Sequence, residues 1–438
     1  MITRALLVCL LLASCLPAQD IASQADQFVQ AFVDQKSFQG SALLSREGKP
    51  LFRKSYGLAN AEWNIVNTPD TKFRLGSITK QFTSALILQL AEQGRLSLDD
   101  SIRKYYAEAP PSWEAVTIHH LLSHQSGIPS YTDLPGFFEK MATVPRTPIE
   151  LIRLTQDKPL EFDPGTKYKY DNSGYVLLGY VIEKVTGRKY EDQLRSDILD
   201  PLGMKDTGFD SYTAILPHRA EGYLYANGEL RRAAYIDMTL PFSAGSLYST
   251  VDDLLKWDQA LYGTSVLSEA SKQKMWTPNR NDYGYGWGIQ KRFGTIAVGH
   301  DGGIPGFNSI ILRLPERKLL AVVLANANTL SAGSIAAGLL GIALGEHVEP
   351  PQPHTKISLK PEELRTFEGK YSNANINLTI RVEGDHLAVS PGGMALPFYP
   401  ANATHFFSDP AGIELEFDKN GTTVAVDQAG HVEHLKRN

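Results

Sequence analysis

Cysteine is nearly absent from this chain of 438 residues: there are two, Cys9 and Cys15, and both lie at the extreme N-terminus. Beyond them, a disulfide framework, a cysteine nucleophile and a thiolate metal site are excluded. A large excess of charge of either sign is absent too. The formal net charge is −5, with no arginine-rich stripe, zinc-finger spacing or single-strand-binding pattern, so a nucleic-acid partner is not expected. His119, His120 and His124 cluster but lack the His-Glu-x-x-His pattern, and Gly302 to Gly306 lack the lysine of a phosphate loop. No metal and no cofactor are expected.

What is present describes a globular chain, 42% apolar and 21% charged. One hydrophobic core rarely grows beyond about 250–300 residues, so two domains are expected. The N-terminus reads as an export segment over residues 1–18. Met1-Ile2-Thr3-Arg4 is positive, and Ala5 to Ala13 is apolar but too short to span a bilayer as a helix. Leu12-Ala13-Ser14-Cys15 fits a bacterial lipobox, with Cys15 as a lipid anchor; cleavage near Ala18 by ordinary signal peptidase is the alternative. Either implies export, to the periplasm or outer envelope of a bacterium.

The chain then alternates between strand-like and helix-like stretches. Gly40 to Gly57 reads as two strands about a turn at Glu47-Gly48-Lys49-Pro50, and Tyr175 to Thr186 as a helix stopped by Gly187. Tyr283–Ile289, Thr295–Val298, Ser309–Leu314 and Leu319–Asn326 read as consecutive strands, and Ile335–Ile342 as a last helix. Helices in the middle with strands at both ends predict an α+β fold over residues 22–345, its sheet joining the two ends. A proline-rich linker follows at 346–357. Residues 358–438 form a small all-β, barrel-like module, read as strands at 368–371, 376–382, 386–389, 395–399, 413–417 and 422–426.

Three stretches carry residues able to do chemistry. In Gly76-Ser77-Ile78-Thr79-Lys80, a serine and a lysine three positions apart precede an apolar-periodic run, so on a helix the amine comes near the hydroxyl. The same pattern would arise from a serine cap and a surface lysine. Tyr170-Asp171-Asn172 offers a phenol that a nearby cation would help to ionise, and an amide for a substrate or the lysine. In Gly299-His300-Asp301-Gly302-Gly303, a bare N–H at Gly303 can complete an oxyanion hole with that of Ser77. Its bland reading is a tight turn with an exposed histidine.

Taken together, these motifs resemble the serine β-lactamase and penicillin-binding-protein superfamily, specifically the class C β-lactamase-like branch. That branch includes D-amino-acid peptidases, D,D-carboxypeptidases and carboxylesterases. The resemblance implies an antiparallel sheet flanked by helices, with a mostly helical subdomain. It implies Ser77 as nucleophile, Lys80 as its activating partner, Tyr170 as the tyrosine base and Asn172 as the substrate-orienting amide. His300-Asp301-Gly302 falls where other members carry Lys-Thr-Gly, with Gly303 beside it. Segments 119–129 and 244–254 look like the family's supporting segments, and the C-terminal module resembles a lipocalin-like barrel.

The expected function is hydrolysis of a small ester, peptide or β-lactam amide through an acyl-enzyme. Histidine at 300 supplies no permanent cation for a substrate carboxylate, which favours an esterase or peptidase over a potent β-lactamase. Within the enzymes, a β-lactamase or a D-specific peptidase is the competing reading. From another class, it is a non-catalytic protein that captures cell-wall material.

Overall fold

The computed structural model describes residues 18–226, 229–329, 331–351, 354–373, 376–390, 395–408, 413–428 and 431–438. The segment expected to direct export, with Cys9 and Cys15, lies outside them except for Ala18. The first helix, α1 (Ala18–Asp34), begins four residues before the expected domain start at 22. It buries Ile21, Ala25, Phe28, Val29 and Phe32.

Two strands, β1 (Gly40–Arg46) and β2 (Lys49–Tyr56), form the expected hairpin. Four more follow late in the chain: β3 (Gly288–Arg292), β4 (Thr295–Ile304), β5 (Phe307–Leu314) and β6 (Leu319–Ala325). They make one six-stranded sheet in the order β3-β4-β5-β6-β1-β2, antiparallel throughout. The run Leu319 to Ala325 is continuously apolar because both faces of β6 are covered. Leu320, Val322 and Leu324 point into the core shared with α2 (Thr79–Glu92) and the other helices of the middle segment. Leu319, Ala321, Val323 and Ala325 point to the opposite face, against α1 and the C-terminal helix α4 (Ser331–Leu344).

The middle segment is mostly helical, as expected, with short strands at Phe73–Arg74, Gly208–Phe209 and Leu247–Ser249 and a hairpin of Tyr223–Ala226 with Glu229–Arg232. Its central helix, α3 (Asn172–Thr186), begins three residues earlier than the apolar pattern indicated. Asp171 caps it by accepting from the Gly174 N–H, and that cap places Asn172 in the first turn. Among the described residues no helix is long and apolar enough to cross a membrane.

Two expectations about the sheet need correction. Residues 283–287 are not strand: regular pairing starts at Gly288, and Tyr283 makes only an isolated bridge to it. The aromatic-glycine alternation there imitates the strand period, but Gly286 has a positive φ of 77°. Conversely, His300 to Gly303 are not a turn. They continue β4, and the turn comes only at Pro305-Gly306.

No regular element occupies the described residues between α4 and Pro361. The C-terminal domain is a closed eight-stranded antiparallel barrel in simple up-and-down order. Its strands are β7 (Gly369–Ser372), β8 (Asn377–Glu383), β9 (His386–Ser390), β10 (Leu396–Pro400), β11 (His405–Ser408), β12 (Ile413–Phe417), β13 (Thr423–Gln428) and β14 (His431–Arg437). Closure comes from pairing of β7 with β14. Tyr371, Phe398, Phe406, Leu415, Phe417 and Leu435 fill the interior. Six strands were expected. The two additional ones, β11 and β14, carry little apolar alternation, and pairing with a neighbour on each side of the closed barrel supplies what their own sequence lacks.

Candidate active site

Ser77 lies in a single 3-10 turn, Gly76–Ile78, between a short strand segment (Phe73–Arg74) and α2. It caps nothing: neither the turn nor α2 has a side-chain cap. Lys80, one turn on, is fully buried. The bland reading of this pair, a cap and a surface lysine, is thereby excluded.

Lys80 Nζ has three donors and all three are used. It donates to Ser77 Oγ at 3.0 Å, to Asn172 Oδ1 at 2.8 Å and to the Ala244 carbonyl at 2.9 Å. Because a lysine only donates here, the Asn172 amide is oriented oxygen-inward. Its Nδ2 donates to Thr132 Oγ1 at 3.1 Å. Asn172 thus positions the lysine, and its amide donor is engaged by the protein rather than held toward the cleft.

Tyr170 donates its phenolic hydrogen to Ser77 Oγ at 2.7 Å. Its ring also lies beneath the lysine, 4.7 Å from Nζ to the centroid. Burial pushes the Tyr170 phenol well above its ordinary range, so it is a neutral O–H donor. Desolvation, the largest cause of that shift, works against the phenolate expected from a nearby cation. Burial pushes Lys80 the other way, down to about 7, while the charges of Asp301 and Asp171 hold it up. Ser77 Oγ accepts from both neighbours while Lys80 is charged. When the lysine sheds its proton, the same 3.0 Å contact can reverse, and the hydroxyl donates to the amine.

The third stretch arrives on β4. Strand β3 ends its pairing with β4 at Gly299, so His300 to Ile304 present an unpaired edge that runs along the Ser77 turn. Packing there is very close. A β-carbon on Gly302 would sit 1.8 Å from the Leu75 carbonyl oxygen and 3.2 Å from the Ser77 nitrogen. One on Gly76, whose φ is +54°, would sit 2.9 Å from the Gly303 nitrogen. Only glycines let the two backbones approach this far, and the approach sets the Gly303 amide against the turn that carries Ser77.

Side chains alternate along that edge: His300 is buried, whereas the Asp301 side chain is 87% exposed. His300 Nδ1 lies 2.6 Å from the Asp301 carbonyl oxygen, which can only accept, so Nδ1 carries the hydrogen. Nε2, 2.8 Å from the Tyr283 hydroxyl, is then the acceptor. Burial lowers the His300 pKa, so this ring is neutral and fully engaged.

Sequence reasoning missed several members of this constellation. His124, with a left-handed φ of 56°, packs its ring 4.3 Å from that of Tyr170 and 4.8 Å from that of Tyr283. Its Nδ1 accepts from the Asp171 N–H at 3.0 Å. The other two histidines of that cluster are engaged elsewhere, His119 with Tyr285 and His120 in the cap of Ile118–Leu122. Asp171 is buried, and desolvation raises its carboxyl to about 7. Sequence reasoning assigned Asp171 no role beyond its place between Tyr170 and Asn172; its burial close to Lys80 is set by the fold.

Comparison with known proteins gives the family. The family model described as Beta-lactamase matches residues 25–343. A penicillin-binding protein of Bacillus subtilis is 28% identical over 416 residues, covering 88% of this chain and 91% of its own. A D-aminopeptidase of Gluconobacter oxydans is 28% identical over 82% of this chain and 66% of its own. Among solved structures, an octameric penicillin-binding protein homologue from Pyrococcus abyssi superposes with a TM-score of 0.68 at 28% identity, covering 94% of this chain and 99% of that one. With the family model matching well over half of its length, and with the fold in agreement, the chain belongs to the β-lactamase family.

Proposed function

We propose that this protein is a serine hydrolase that forms an acyl-enzyme on Ser77 and cleaves an ester or peptide amide bond in a small substrate. The observation that carries the reading is the convergence of Lys80 Nζ and Tyr170 Oη on Ser77 Oγ, at 3.0 and 2.7 Å, in a buried site. Lys80, pushed down to about 7, is the base. It takes the Ser77 proton as Oγ attacks the carbonyl carbon, and the Ser77 and Gly303 N–H groups stabilise the oxyanion. Tyr170, neutral and already donating, passes its hydrogen to the leaving group and is reprotonated from Lys80. Water then resolves the acyl-enzyme over the same groups.

Along the β4 edge the substrate backbone lies beside His300 to Gly303. The neutral His300 offers no cation there, which supports esters and peptides over β-lactams as the preferred class. The family's D-aminopeptidase member is consistent with amide bonds of D-amino acids among them. The apolar leader supports a site of action in the bacterial envelope. A substrate panel of chromogenic esters, D- and L-amino acid amides and a cephalosporin, with Ser77→Ala as control, tests the assignment. Turnover of an ester or amide that is lost in the variant supports it; turnover confined to the cephalosporin rejects the substrate class.

A further inference from the structure

Far along the chain, two histidines and one glutamate converge on the outer face of the barrel. His405 on β11 and Glu414 on β12 are diagonal neighbours on paired strands, since His405 is opposite Glu416 and Phe407 is opposite Glu414. Phe406 and Leu415 point inward, so His405 and Glu414 share the outer face. His354 comes from the segment that joins the two domains. Its ring stacks flat on Phe407, 4.3 Å between centroids and 16° between planes. The backbone beside it is docked as well, the Ile357 N–H donating to the Pro400 carbonyl at 2.9 Å.

The atoms that meet are ligand atoms. His354 Nε2 lies 3.3 Å from Glu414 Oε1, and His405 Nε2 lies 2.9 Å from Glu414 Oε2. One ligand atom from each residue fits within 4.8 Å of the other two. Zinc with imidazole and carboxylate ligands at about 2.0–2.2 Å holds neighbouring ligand atoms roughly 3.3 Å apart in a tetrahedron. The observed spacings therefore need only small side-chain rotations. All three side chains are partly exposed, 22%, 23% and 47%, which leaves an entry path and room for water as a fourth ligand.

We propose that His354, His405 and Glu414 bind a divalent zinc ion that fastens the interdomain segment to the outside of the barrel. The site is separate from the hydrolytic chemistry, since none of the three residues touches Ser77, Lys80 or Tyr170. Its effect is to close a long loop: residues 354 and 405 are joined across the first half of the barrel, which restricts the unfolded chain more than the folded one.

The test uses the full chain, stripped with a chelator, dialysed and titrated with zinc chloride in a calorimeter. One equivalent is expected to bind with micromolar affinity or tighter, raising the melting temperature and slowing tryptic cleavage after Lys356. His405→Gln and Glu414→Gln are each expected to weaken that binding by more than about tenfold and to abolish the protection at Lys356, while Ser77-dependent turnover is unchanged. Cobalt in place of zinc gives the visible absorption of a tetrahedral ion, which reports the ligands without relying on any variant. Binding that is substoichiometric, or equally tight in both variants, overturns the proposal, as does an octahedral cobalt spectrum. In those cases the three residues form an ion-pair cluster only.

Discussion

Tyr170 donates its hydroxyl hydrogen to Ser77 Oγ at 2.7 Å, across 93 residues of sequence. The phenol is neutral, so its part is to hand over a hydrogen rather than to take one. Tyr170→Phe keeps the ring against Lys80 and His124 and removes only that hydrogen. The expected outcome is a fall in kcat of about 10²–10⁴-fold, with KM little changed, measured on whichever ester or amide proves to be turned over. A loss under about fivefold would assign the leaving-group proton to another donor.

The pH profile tests Lys80 as base. Its folded pKa is lowered from the ordinary lysine range to about 7, so the neutral, proton-accepting amine prevails above that pH and the ammonium below it. The kcat/KM is therefore expected to rise with pH along an acid limb near 7. Asp171, raised to about 7 by burial, titrates in the same window, so the limb belongs to the interacting pair. Asp171→Asn removes the negative charge that holds the lysine proton and keeps an acceptor for the Gly174 N–H. The limb should then shift to lower pH; an unmoved limb would show that Asp171 does not act on Lys80.

Neighbouring glycines make opposite predictions. At Gly302 an added methyl would meet the Leu75 carbonyl oxygen at 1.8 Å, so Gly302→Ala must push β4 away from the Ser77 turn and part the two oxyanion donors. A loss of about 10²-fold or more in kcat is expected. At Gly303 the nearest atom would be 3.9 Å away, and Gly303→Ala should stay within about threefold of the parent enzyme. Equal effects at both positions would remove the geometric argument for this edge.

These contrasts show where sequence reading succeeds and where it stops. The sheet strands Gly40–Tyr56 and Leu319–Ala325, the helix that carries Lys80, and the motif residues Ser77, Lys80 and Tyr170 were legible, because period and spacing are local properties. The protonation of Tyr170 was not, since it depends on burial by residues such as His124 that the fold imports from elsewhere. Strand β4 was cut short at Val298 because its glycines read as a turn; what holds them extended is pairing with β5, from Gly302 opposite Ser309 to Ile304 opposite Phe307. The barrel strand β14 was passed over because its charged residues face solvent and leave Leu435 to mark the interior.

His300 offers a test of specificity. Both ring nitrogens are occupied, by the Asp301 carbonyl and the Tyr283 hydroxyl, and burial keeps the ring neutral. Matched substrates with and without a carboxylate at the far end of the acyl group should differ in kcat/KM by less than about threefold. Replacing the residue, His300→Lys, should create a preference for the charged substrate of about tenfold, roughly the value of one partly exposed ion pair plus a hydrogen bond. A strong preference in the parent enzyme would mean that another cation serves the site.

The most direct test is to catch the covalent intermediate. The purified protein, mixed with a slow ester or a fluorophosphonate serine-hydrolase probe, is examined by intact mass and peptide mapping. One acyl or phosphonyl adduct per chain on Ser77, absent from Ser77→Ala together with turnover, is the predicted result. Turnover that persists in Ser77→Ala, or an adduct that maps to another residue, would contradict the account.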